Sequence, residues 1–281
     1  MRKPIVVAII ALFASPLIAQ TTDEIIARFL KTEGGMDTIE SVKSLRRVGK
    51  FQSGGGTEYR VTEEYKRPKL ARQEYTIQGM TAVYAYDGRN GWKIEPWQGK
   101  KDPEAMGEEE LKSIIEDADF EGPLVNYRQK GNKVEYVGMD SVEGTDTFKL
   151  KVTSPNGDVR YYYLDTDYYV PIKVDTKRIV RGAEREYESI VGDYKEINGW
   201  YLPYSFETKS KGSATSQKIT WESMTANVSL DDARFRMPSA AGKPPEQRQG
   251  QPADASEVPP KKPEEKKEPP AEKKPPVGRA R

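Results

Sequence analysis

The chain has 281 residues, 45 of them basic and 44 acidic, and it contains neither histidine nor cysteine. Those two absences exclude a Ser-His-Asp triad, imidazole acid-base chemistry, thiolate nucleophiles, zinc-thiolate sites and disulfides. The even charge offers no basic excess for a nucleic-acid partner. No grouping of carboxylates, lysines or tyrosines asks for catalysis, so the sequence reads as a non-enzyme without cofactor or metal.

The start, MRKPIVVAIIALFASPLIAQTTDE, has the parts of a secretory signal. Arg2 and Lys3 form its charged end, Ile5 to Ala14 its apolar run, and Pro16 breaks that run before a cut near Ala19. The apolar run falls short of the roughly 20 residues a membrane span needs. Losing Arg2 and Lys3 leaves the basic and acidic totals within one of each other. With no cysteine at the cut to carry a lipid, the mature chain is expected to be periplasmic, unanchored and monomeric.

Residues 20–237 read as one domain. Ile25, Ile26, Phe29 and Leu30 line one face of a first helix, which Gly34 and Gly35 stop. Asp37 followed by Glu40 resembles a capping box for a second helix carrying Ile39, Val42 and Leu45. The rhythm then changes to period two over Tyr59–Val61, Ala71–Ile77, Met80–Tyr86 and Trp92–Ile94, the mark of strands with one buried face. Ser53-Gly54-Gly55-Gly56, Arg67-Pro68, Gln78-Gly79 and Asp87-Gly88 supply the turns between them.

The stretch YAYDGRNGWKIEPWQG places two tryptophans five residues apart. Trp92 shares a strand face with Ile94, and Pro96 is expected to end or bulge the strand and re-aim Trp97. Tyr84 and Tyr86 lie across the turn. These five aromatic and apolar residues are candidates for one wall of a cavity, with core packing as the alternative.

A helix follows in GEEELKSIIEDADFEG, where Leu111, Ile114, Ile115 and Ala118 make one apolar stripe. Flanked by Gly107 and Gly122, it reads either as a docked surface helix or as a lid. Seven further strand patterns run from VEYVG to KITWESM, joined by turns such as Pro155-Asn156-Gly157-Asp158 and Asn198-Gly199. In RYYYLDTDYYV alternation splits the tyrosines between two faces, and Tyr162 and Leu164 share one of them as further wall candidates. About eleven antiparallel strands with three helices make a mainly β fold, and a sheet that long curls instead of lying flat. Residues 238–281, with 11 of the chain's 20 prolines and no aromatic residue, cannot bury enough surface to offset their ordering entropy and read as a disordered tail.

Several blocks together resemble LolA-like proteins, the outer-membrane lipoprotein-sorting family: GGMDTIESVKSLRRVGKF, AYDGRNGWKIEPWQG, DADFEGPLVNYRQKGNKVEYVG, YYYLDTDYYVPIK and DDARFRMP. The resemblance implies an unclosed β-barrel curved around a hydrophobic cavity and lidded by helices. It further implies a soluble carrier of lipoprotein or lipid acyl chains, taking cargo from an inner-membrane donor complex to an outer-membrane acceptor. The alternative on the same scaffold is an envelope-stress sensor that binds a protein partner.

Overall fold

The computed structural model describes residues 21–99 and 101–238. The expected leader, and all but the first residue of the expected tail, lie outside the described residues. Helix α1 (Thr22–Thr32) is entered through a capping box in which Thr21 and Glu24 satisfy each other's backbone N–H groups. It buries Ile25, Ile26 and Phe29, the face its apolar spacing predicts. The short α2 (Met36–Ser41) starts at Gly35 without a side-chain cap, so the capping box expected at Asp37 is not formed.

The chain then winds outward through β1 (Ser44–Gln52), β2 (Glu58–Lys66), β3 (Leu70–Ile77), β4 (Met80–Tyr86), β5 (Gly91–Ile94) and a two-residue β6 (Glu104–Ala105). Helix α3 (Glu108–Asp117) follows. The chain winds back through β7 (Lys133–Val142), β8 (Thr145–Thr153), β9 (Val159–Asp165), β10 (Pro171–Val180), β11 (Ala183–Ile197), β12 (Trp200–Ser210) and β13 (Gln217–Ala226). All thirteen strands form one antiparallel sheet in the order β6-β5-β4-β3-β2-β1-β13-β12-β11-β10-β9-β8-β7. Among the described residues β6 and β7 are the opposite edges of this sheet, each paired on one side only, so the barrel is unclosed. Because they are consecutive in the chain, the segment between them has to travel the full width of the sheet. That segment contains α3.

The sheet is bent. Leu45 and Val61, near its middle, share one buried core with Val134 on the edge strand β7 and with Phe148 and Leu150 on β8. Strands that far apart in the hydrogen-bonded order meet only if the sheet curls round. Gly49 shows how tight the curl is at β1. The β1–β13 register slips between Val48 and Gly49, and a Cβ on Gly49 would sit 2.2 Å from the Thr220 carbonyl oxygen.

Two strands escape the sequence pattern. β1 carries Leu45, Arg47, Gly49 and Phe51 on its inner face, so a cation and a glycine interrupt the apolar alternation that would have announced it. β6 is too short to show any period.

Candidate functional site

The inner face of the curled sheet is not filled. Beneath α3 lies a hollow of about 650 Å³, within the range of small-molecule sites. Arg47 and Tyr65 face it from one wing of the sheet and Arg160, Tyr162 and Arg178 from the other, with Ile115, Asp117 and Phe120 above. Toward the start of α3 a second hollow of about 330 Å³ is walled by Tyr84, Ile114, Val180 and Tyr187. Deeper in, an apolar chamber of about 210 Å³ is lined by Phe29, Val174, Val191, Leu202 and Phe206. Phe120, Tyr162, Phe206 and Arg47 belong to the walls of both this chamber and the large hollow. Phe120 is the divider. Its ring lies 5.9 Å from that of Tyr65 and 6.1 Å from that of Trp200.

The walls carry charge that a purely greasy cavity would not. Arg47 donates to Glu63 at 2.5 Å and to the Tyr65 hydroxyl at 3.1 Å. Its guanidinium sits over the rings of Tyr65 and Trp221 at 4.9 and 4.8 Å. Burial opposes its charge, yet Glu63 and Tyr65 hold it cationic above its ordinary value. Gln73 donates to Tyr65 at 3.3 Å and to Asp117 at 3.0 Å, carrying the network from the sheet to the last residue of α3. Asp117 is pushed up by its crowded surroundings and by the nearby Glu63 carboxylate.

Helix α3 is held differently on its two flanks. Toward β2–β5 it packs Ile114 and Ala118 against Tyr65, Ala71 and Tyr86. Gly91 makes room there, since a Cβ on it would lie 2.8 Å from Leu111. Toward β9 and β10 it is tied by ions. Arg160 donates to Glu116 at 2.8 Å, Arg178 to Glu116 at 3.5 Å, and Lys112 to Asp158 at 3.1 Å. The segment after the helix is pinned by Arg67 to Glu121 at 2.5 Å and by Lys130 to Asp119 at 2.6 Å.

The wall residues expected from sequence divide. Tyr84, Ile114, Ile115 and Tyr162 border the hollows. Tyr86 and Leu111 pack at the apolar flank of α3. Leu164 is fully buried in the main core. Trp97 lies on a 3-10 turn (Pro96–Gln98), 39% exposed, with its ring edge-on to Tyr59 at 6.4 Å.

Trp92 and Ile94 correct the expectation. Trp92 pairs with Ala85 in the β4–β5 register while Tyr84 pairs with Lys93, which puts Trp92 and Ile94 on the outer face. There Trp92 is 1% exposed, clustered with Val83 and Ala85, and its indole donates to the Phe235 carbonyl at 2.8 Å. It is core.

Sequence reasoning missed Glu33, Arg47, Phe120, Arg160 and Arg178. Strand parity held the signal for the arginines: Arg160 is two residues from Tyr162, and Arg47 is two from Leu45. Treating charged inner positions as breaks in the pattern hid it.

Comparison with known structures places the fold. A LolA superfamily protein from Nitrosomonas europaea superposes with a TM-score of 0.54 at 15% identity, covering 78% of this chain and 98% of that one. A DUF1329 family protein from Desulfovibrio piger gives 0.52 at 12% identity, with the same coverage of both chains. No protein-family model matches the sequence, and comparison with curated proteins gives no significant match. The fold is LolA-like. Among the described residues no helix is long and apolar enough to cross a membrane.

Proposed function

We propose that this chain is a periplasmic carrier that shelters acyl chains of a lipoprotein or envelope lipid beneath α3 and passes them toward the outer membrane. The observation that supports this most is a bent, unclosed sheet that keeps about 650 Å³ unfilled under a helix-bearing crossover. Each methylene moved from water into such a space contributes about 0.8 kcal/mol. The mixed wall suits a carrier, because Arg47, Arg160 and Arg178 limit how tightly a hydrocarbon is held and ease its release. On this reading an inner-membrane donor complex loads the chain and an outer-membrane acceptor unloads it. The role is binding, not catalysis.

Native mass spectrometry of the full chain, recovered from its own cell envelope, tests the reading. Lipid-mass adducts that leave on mild activation are the expected result. Empty protein that also fails to bind a medium-chain fatty acid at micromolar concentration overturns it. Empty protein that co-purifies with a membrane regulator favours the sensor instead.

A further inference from the structure

Glu33 is an acid on the wall of the apolar chamber. Gly34, at φ +105°, lets the end of α1 press against the Asn198-Gly199 turn, where a Cβ would come within 2.0 Å of the Gly199 carbonyl oxygen. That close approach brings the Tyr201 N–H to the Glu33 carbonyl at 3.3 Å and places the Glu33 side chain beside Trp200. Glu33 is only 6% exposed, and its Oε2 accepts from the Trp200 indole at 3.0 Å. Glu33 lines the chamber alongside Phe29, Leu202 and Phe206.

A carboxylate buried this deeply beside a neutral indole donor and apolar side chains is costly, and the neutral acid is the cheaper state. Burial pushes Glu33 up to about 8, with the Trp200 bond opposing the rise. An indole N–H only donates, so Oε2 is the oxygen that stays unprotonated and the proton belongs on Oε1. The result is an O–H donor on a wall it shares with Phe29, Leu202 and Phe206. The other titratable groups on the chamber wall are Arg47, Glu121, Tyr162 and Tyr194. Arg47 on β1 stays cationic in its pair with Glu63. Glu121, in the segment after α3, is held low by Lys130 and Arg67 despite its burial. Tyr162 on β9 stays a neutral phenol, and Tyr194 on β11 spends its proton on the Pro171 carbonyl at 2.7 Å. The wall residues from α1 itself, β10 and β12 are otherwise apolar.

We infer that Glu33 is a specificity residue that donates a hydrogen bond to the carbonyl of a neutral acyl ester whose chain lies in the apolar chamber and the adjoining hollow. This rests on the carrier reading above and names the chemical class of its cargo head. At about 210 Å³, the chamber is below the usual size of a complete ligand site; it holds one end of such a molecule, and the large hollow takes the remainder.

The test uses monodecanoylglycerol, a neutral acyl ester, titrated by calorimetry into the wild-type chain, Glu33→Gln and Glu33→Leu. Glu33→Gln keeps both an acceptor for Trp200 and a donor for the ester, without a titratable proton. Wild-type affinity is expected to fall about tenfold between about pH 6.5 and about pH 9, as Glu33 loses its proton. Glu33→Gln should bind within a few-fold of wild type at the lower pH and show no pH dependence. Glu33→Leu should be weaker by roughly fivefold, the worth of one neutral hydrogen bond, and equally flat with pH. Thermal unfolding of each variant at both pH values confirms that the proteins compared are folded. Firm wild-type binding that is flat with pH and indifferent to both substitutions overturns the role of Glu33 and leaves the carrier reading standing. No binding by any of the three overturns the role of Glu33, and it overturns the carrier reading as well if the native chain is also lipid-free and fails to bind a medium-chain fatty acid.

Discussion

The two faces of the β1–β6 wing reverse the usual division between core and surface. On the outer face Trp92, Val83 and Ala85 make a dry cluster closed by the Phe235 segment. On the inner face Arg47, Glu63, Gln73 and Asp117 form a connected polar network beside open space. The large, stiff indole fills a site completely, while the groups that keep partners or water line a site left unfilled. An aromatic residue therefore marks a wall less reliably than a charged residue at an inward strand position.

The largest effect expected from breaking this contrast is on stability. Trp92→Ala should cost about 3–5 kcal/mol in urea unfolding, the range for deleting a buried aromatic, and leave acyl binding per folded molecule unchanged. A loss of binding at constant stability would put Trp92 back on a ligand wall. Ile114→Ala, on the apolar flank of α3, should cost about 2 kcal/mol and loosen the helix on the β3–β5 side.

The ion-paired flank should behave otherwise. Glu116 meets Arg160 and Arg178 with all three side chains partly exposed, where such pairs are worth less than about 1 kcal/mol. Glu116→Gln should barely change the unfolding midpoint. It should speed hydrogen exchange of the α3 amides severalfold and remove the salt dependence of that exchange. If exchange in α3 is instead governed by Ile114→Ala alone, the ion pairs are ornaments on a docked helix and the lid reading fails.

A separate effect is the pH dependence of folding. Glu33 has its folded pKa raised from 4.5 to about 8. The folded chain thus holds a proton that the unfolded chain releases above about pH 4.5, and stability drains away as pH rises through that window to about 8. Glu33→Gln lacks this loss. Its melting temperature should rise relative to wild type from pH 5 to pH 9 (about 9 being past the folded pKa), and parallel curves would show that Glu33 is not buried as an acid.

Much of this architecture is legible in the residues alone. Period-two alternation marks eleven of the thirteen strands, and the Leu111–Ala118 stripe marks α3 and its docked face. β1 is hidden because Arg47 and Gly49 take inward positions, one serving the polar network and the other the bulge. Trp92 is misplaced for a different reason. Parity tells which residues share a face, but which face is inner depends on Phe235, 143 residues away, arriving to cover the indole. Glu33 is invisible to pattern because its burial follows from Gly34 meeting Gly199, a contact between distant loops.

The central claim is that the inner face of the sheet, beneath α3, is where hydrocarbon goes. A photoactivatable acyl ester, crosslinked to the full chain and mapped by peptide mass spectrometry, tests it most directly. The account predicts label on the peptides carrying Phe120, Tyr162 and Phe206, reduced by excess unlabelled ester, and none on the peptide carrying Trp92. Label confined to the outer face, or label that excess ester does not displace, would contradict it.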